Sequence, residues 1–67
     1  MYFVYGEITY MDDTKETIFC DYPENNNMYV AYIGEAHQFD SKEEAKAFLN
    51  KKSMANFIKW IGILEKV

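Results

Sequence analysis

The sequence predicts an α+β fold in which one helix packs on a small antiparallel sheet of three to four strands, in the order β-β-β-α-β. Two observations carry this prediction. Several short segments alternate aromatic and β-branched residues between turn formers, and one segment near the middle of the second half has a helix start signal followed by apolar residues at helical spacing. At 67 residues the chain fits a single domain, residues 1–67, near the lower size at which a hydrophobic core outweighs chain entropy.

The first two predicted strands form a hairpin. Residues 2–11 alternate apolar and mixed positions, and Gly6 in their middle predicts a bulge or the close approach of another backbone. Asp12, Asp13 and Thr14 are turn formers. Residues 15–22 alternate again, so we expect them to return antiparallel until Pro23 ends the strand.

A loop and a third strand follow. Residues 23–27, PENNN, combine a proline with asparagines that tolerate left-handed backbone, which predicts a loop. Residues 28–33, MYVAYI, have the composition of a strand, and Gly34 marks its end.

The helix prediction covers residues 42–52. Ser41 followed three residues later by Glu44 is a capping box, with Asp40 as a competing N-cap. The apolar positions expected to lie on the sheet are Ala45, Ala47, Phe48 and Leu49.

Residues 54–67 fit two patterns, a strand and an amphipathic helix. The strand is favoured because phenylalanine, isoleucine and tryptophan suit a pleated surface, and because Gly62 would weaken a helix by about 1 kcal/mol relative to alanine. In that case residues 53–57 are the turn before it, and a central position of the strand, next to the first strand, would explain why both of its faces are apolar.

Charge is unevenly distributed along the chain. Residues 1–40 contain eight acidic residues and one lysine, a net charge of −7, whereas residues 41–67 have a net charge of +3. There is no arginine, the usual bidentate partner of phosphate and guanine. We therefore expect no direct binding of nucleic acid.

The chain offers little for catalysis or metal binding. One cysteine and one histidine exclude an internal disulfide and fall short of a structural zinc site. Cys20 alternates with strand residues and is interpreted as buried core, His37 as a solvent-facing loop residue, and the adjacent carboxylates as turn and helix-start residues. We predict no enzymatic activity, no metal and no cofactor, and, because the sequence has neither a signal peptide pattern nor a spanning apolar run, no membrane and a cytoplasmic location.

The six tyrosines and the acidic first half of the chain are the features that a role in folding alone does not explain. Tyrosine is enriched at protein interfaces, and clustered acids steer a protein toward a basic partner. The predicted partner-binding residues are Tyr5, Tyr10, Asp12, Asp13, Glu16, Asp21, Glu24 and Tyr29. The alternative is that the tyrosines border the core and the acids solvate and protect a sheet edge.

The run FDSKEEAKAFL after short aromatic strands, with a closing apolar strand, resembles small hypothetical proteins of phages and prophages of Gram-positive bacteria. The resemblance covers residues 28–67 and implies a non-enzymatic accessory factor. Members with known roles often inhibit a host enzyme or defence complex, as anti-CRISPR proteins do. No functional residue carries over from it.

Three functional hypotheses follow. The first is a protein-binding inhibitor that occludes a host or defence protein with a basic surface, through an acidic, tyrosine-rich hairpin face. The second is a self-associating structural or regulatory module, a homodimer whose aromatic residues close the interface. The third is a sponge for a small ligand such as a nucleotide, formed at a dimer interface.

Overall fold

The segments with alternating and helical sequence patterns form four antiparallel strands and one α-helix. The computed structural model describes residues 1–25, 27–51 and 57–67. Within them the elements are β1 (Tyr2–Thr9), β2 (Lys15–Cys20), β3 (Tyr29–Val30), a 3₁₀ helix (Ile33–Glu35), α1 (Lys42–Leu49) and β4 (Ile58–Glu65). The sheet order is β3-β2-β1-β4. The α+β class with one helix on an antiparallel sheet is therefore confirmed.

The β1–β2 hairpin closes sooner than predicted. The Tyr10 amide donates to the Thr14 carbonyl (2.8 Å) and the Asp13 amide donates to the Tyr10 carbonyl (3.0 Å). These bonds turn residues 10–14 into the connecting loop, so β1 ends at Thr9 instead of residue 11. Asp13 has φ 69°, a left-handed conformation that aspartate tolerates better than most residues.

β4 is a strand, and it pairs antiparallel with β1, as expected. The central position considered for it is wrong, because β2 holds the other side of β1 and leaves β4 at the edge. The β1–β4 register shifts between Tyr5 and Gly6, which confirms the bulge. A Cβ at Gly6 would lie 2.4 Å from the Lys59 carbonyl oxygen, so the close backbone approach is confirmed too.

Two other strand predictions were too long. β2 ends at Cys20 rather than residue 22. β3 has only two residues, because the Glu35 amide donates to the Tyr32 carbonyl (3.0 Å) and the Ala36 amide to the Ile33 carbonyl (3.1 Å), which closes a 3₁₀ turn where the strand was expected. Residue 26 of the predicted loop and residues 53–56 of the predicted turn lie outside the described residues.

Helix α1 begins as predicted and ends earlier. The Ser41 hydroxyl oxygen accepts from the Glu44 amide (3.2 Å), and the Glu44 carboxylate accepts from the Asp40 amide (3.3 Å), so Ser41 is the N-cap and Asp40 is not. The helix stops at Leu49 rather than residue 52. Ala47, predicted to face the sheet, is exposed; Ala45 and Phe48 are buried.

The two faces of the sheet differ in what covers them. On one face, here called the covered face, α1 packs on β1 and β4. The buried residues of the core on this side are Val4, Ile8, Ile18, Cys20, Phe39, Ala45, Phe48 and Ile58. The alternate residues of the same strands form the other face, here called the uncovered face, over which α1 does not lie. At one end of this face Phe3 is buried and lines a small cavity together with Ile33 and Gly34 of the 3₁₀ helix.

Candidate functional site

The loop between β1 and β2 is an exposed acidic turn with its own side-chain hydrogen bonds. One Asp12 carboxylate oxygen accepts from both the Thr14 amide (3.1 Å) and the Thr14 hydroxyl (2.6 Å), and these bonds hold the pKa of Asp12 below its usual range. Beside this turn the Met11 side chain is fully exposed. We call the group Tyr10, Met11, Asp12, Asp13 and Glu16 the hairpin end.

Tyr10 and Glu16 are joined within the hairpin end. The Tyr10 hydroxyl donates to a Glu16 carboxylate oxygen (3.1 Å), although the tyrosine side chain is about half exposed (47%). This hydrogen bond is the main reason that the pKa of Tyr10 is raised, and the charge of Tyr29 adds to it. Tyr29 pairs with Cys20 across β2 and β3, so all three side chains lie on the helix side of the sheet, beyond the end of α1.

The predicted acidic residues do not form one surface. Asp21 and Glu24 follow the opposite end of β2, about 20 Å from the hairpin end for six residues of extended strand. There the Lys51 ammonium donates to the Pro23 carbonyl (3.2 Å), so a positive charge from the end of α1 lies against this loop. We call Asp21 and Glu24 the loop end. The structure thus separates the predicted acidic set into two groups.

Tyr5 lies apart from the other predicted tyrosines. It belongs to the uncovered face, where it pairs with Phe19 of β2 and with Gly62 of β4. A Cβ built on Gly62 would lie 3.1 to 3.3 Å from two ring carbons and the hydroxyl oxygen of Tyr5, so the Tyr5 side chain lies over the glycine. Tyr5 and the hairpin end therefore face different directions.

Cys20 is confirmed as a core residue, and His37 lies in a loop before the helix as predicted but is half-buried rather than solvent-facing. Burial raises the pKa of the Cys20 thiol to about 11, and the negative charges of Asp21 and Glu24 act in the same direction. The thiol is therefore protonated near neutral pH and a poor nucleophile. His37 is half-buried, because its amide donates to the Cys20 carbonyl (2.8 Å) and its ring meets Phe39 edge to face at 4.6 Å.

A cavity of about 390 Å³ lies between α1 and the loop end. Its charged lining comprises Glu24, Asp40, Glu44 and Lys51, with His37 beside them. Three carboxylates against one ammonium group repel phosphate, so this cavity gives the nucleotide hypothesis no support. That hypothesis remains a prediction.

Among the described residues no group of histidine, cysteine and carboxylate side chains is arranged to hold a metal ion. Nor does the described part of the chain contain a helix long and apolar enough to cross a bilayer.

Comparison of the chain with protein-family models, curated proteins and solved structures finds no match. The candidate site therefore rests on geometry alone.

Sequence reasoning missed three exposed apolar residues. Met11 belongs to the hairpin end, and Phe57 lies next to it, since the Thr9 amide donates to the Phe57 carbonyl (3.0 Å). Leu64 lies on the uncovered face opposite Phe3. The alternation of β1 and β2 already separated Tyr5 from Tyr10, and this signal would have placed them on different surfaces.

Proposed function

We propose that the chain is a non-enzymatic binding protein that occludes a basic surface of a partner protein with its hairpin end. The observation that supports this most is the Tyr10–Glu16 hydrogen bond beside the Asp12–Thr14 turn. The hydrogen bond and the turn both hold exposed side chains in place in the absence of a partner. A preorganised surface loses less conformational entropy on binding than a mobile one.

The composition of the hairpin end matches this role. An aromatic ring and an exposed methionine provide contact area, and the surrounding carboxylates provide long-range attraction to a basic partner. Lys15, the lysine next to Glu16, lies on the uncovered face, where its ammonium group is 3.7 Å from a Glu7 carboxylate oxygen. Its charge is therefore directed away from the carboxylates of the hairpin end.

The biological setting belongs to the same proposal. In line with the resemblance to small phage and prophage proteins, the partner is a host or defence protein of a bacterial cytoplasm, and occlusion inhibits it. The identity of this partner is the subject of the experiment.

The experiment is affinity capture from bacterial lysate with quantitative mass spectrometry, using charge-neutral variants that keep the geometry. Asp13→Asn tolerates the left-handed backbone, and Glu16→Gln keeps an acceptor for Tyr10. The matched control is Asp21→Asn with Glu24→Gln, the same charge change at the loop end. Asp12 stays unchanged because its carboxylate holds the turn.

We expect the wild type and the control pair to capture the same partner protein. The Asp13→Asn, Glu16→Gln pair should capture about tenfold less of it, and this difference in captured amount should become smaller as the salt concentration is raised. Adding the wild type to an assay of that protein's activity should lower the activity. Equal capture by all three forms, or loss only in the control pair, would contradict the role given to the hairpin end.

A further inference from the structure

On the uncovered face, apolar residues lie at the same level on neighbouring strands, including the two central strands β1 and β2. At one level along the strands Gly62, Tyr5, Phe19 and Val30 form a continuous row across β4, β1, β2 and β3. All four are half-buried, because they shield only one another and the sheet. We call this row the apolar row.

The next levels along the strands carry the charges of the same face. Glu7 pairs with Lys59 of β4 and lies diagonally from Lys15 of β2, whose ammonium group is 3.7 Å away. The three charges give this face a net charge of +1, which leaves −5 on the rest of the chain. The acidic groups of the hairpin end are not among these charges.

We propose that the uncovered face binds a second copy of this chain, in a symmetric face-to-face dimer of two sheets. The argument is the symmetry of the pattern. The two-fold axis runs parallel to the strands, midway between the two packed sheets and centred between β1 and β2. It places β1 of one copy over β2 of the other copy. It also places Tyr5 over Phe19 of the other copy, at the same level of the sheet.

The same operation also matches the charges. Glu7 lies on β1 and Lys15 on β2, so exchanging the strands brings each Glu7 opposite Lys15 of the second copy, two residues further along the strand. Both side chains are partly exposed, at 35% for Glu7 and 59% for Lys15. Across the roughly 10 Å that separates packed sheets, a glutamate and a lysine can meet.

The dimensions set the strength of this dimer. The strands have eight, six, two and eight residues, so at about 3.3 Å per residue and about 4.8 Å between strands the sheet face measures about 380 Å² per copy, or about 760 Å² in total. This is smaller than most specific interfaces. We therefore expect a reversible dimer, in which burying the apolar row supplements the small core of a 67-residue chain.

The proposed axis leaves the hairpin ends free and places both at the same end of the dimer. The dimer does not depend on the proposed function, since its interface excludes Tyr10, Asp13 and Glu16. Equal capture by the wild type and the Asp13→Asn, Glu16→Gln pair, with an intact dimer, would refute only the proposed function, and a monomer that shows the expected difference in capture would refute only this inference.

The decisive experiment mixes two charge variants, Glu7→Lys and Lys15→Glu. In each variant, positions 7 and 15 carry charges of the same sign. They therefore repel each other within one chain and also between the two chains of a homodimer of that variant. In a mixed dimer every contact across the interface joins opposite charges, whereas the contacts within each chain still join like charges. Restored dimerisation on mixing therefore reports on the interface alone.

Sedimentation equilibrium of the full chain over about 10 μM to about 1 mM, a range suited to so small an interface, measures the association. We expect a wild-type dimer, at least about tenfold weaker association of each variant alone, and recovery in the mixture. Circular dichroism confirms that both variants are folded. A wild type that stays monomeric throughout, or folded variants whose mixture associates no better than either alone, would overturn the proposal.

Discussion

The covered and uncovered faces of the sheet are built from alternate residues of the same strands, yet they differ in kind. On the covered face the described residues form an apolar core in which no buried side-chain polar atom lacks a hydrogen-bond partner. On the uncovered face an apolar row lies beside an ion pair. A face that only contacted water would not need Tyr5 and Phe19 side by side. One face therefore stabilises the fold, and the other is the face on which we place the proposed dimer interface.

The largest expected contrast comes from removing one aromatic ring from each side. Phe48→Ala should cost about 3–5 kcal/mol of unfolding free energy, because the ring is buried against Phe39 and Trp60. Phe19→Ala should cost roughly 1 kcal/mol in the monomer, because its ring is half-exposed. Urea denaturation at low protein concentration measures both. Equal costs would mean that the two faces are not distinct.

Glycine substitutions test the same contrast through the backbone. Gly6→Ala should cost about 2–3 kcal/mol, because its Cβ would meet the Lys59 carbonyl, which is backbone and cannot move aside. Gly62→Ala should cost about 1 kcal/mol or less, since only the Tyr5 ring on the uncovered face must shift. Gly34→Ala meets nothing within 4 Å and is the control, with a change within about 0.5 kcal/mol. Thermal unfolding ranks the three, and a Gly6 variant as stable as the control would contradict the close approach.

The pH dependence of stability probes the covered face through Cys20. Because the folded thiol has a pKa of about 11, above the value of about 8.5 in an unfolded chain, the unfolded state ionises first as pH rises. The stabilisation is complete below about pH 8.5 and is lost toward pH 11, on the order of 3 kcal/mol. Denaturation of the wild type and of Cys20→Ala at each pH separates this effect from the tyrosines. Parallel pH profiles would contradict it.

The helix cap gives the smallest effect, and one confined to the covered face. Ser41→Ala should cost about 1 kcal/mol, because the Glu44 amide loses its acceptor. Ser41→Asp keeps an acceptor and should restore stability. Trp60, the only tryptophan, packs against Phe48, so its fluorescence follows the helix side. Lower stability in both variants would show that the cap is not the cause.

Local chemistry made much of the fold predictable. The Asp12–Thr14 turn, the start of α1 at Ser41 and the bulge at Gly6 all depend on residues within a few positions of one another, or on the one residue type without a side chain. The lengths of the strands were less predictable. β3 stops after two residues because a 3₁₀ turn satisfies the backbone instead, a competition that composition does not reveal.

The sequence by itself determined the element types, the α+β class and the residues that face each side of β1 and β2. In β4 the register shift moves Gly62 and Leu64 to the face opposite Trp60, which simple alternation does not predict. Only the tertiary structure decided where the elements lie relative to one another. It put β4 at the sheet edge, the hairpin end about 20 Å from the loop end, and Tyr5 beside Phe19 on the uncovered face. The physical reason is the separation along the chain over which each kind of interaction acts. Capping, turn chemistry and alternation act between near neighbours in the chain, whereas surfaces are assembled by pairing and packing between residues far apart in it.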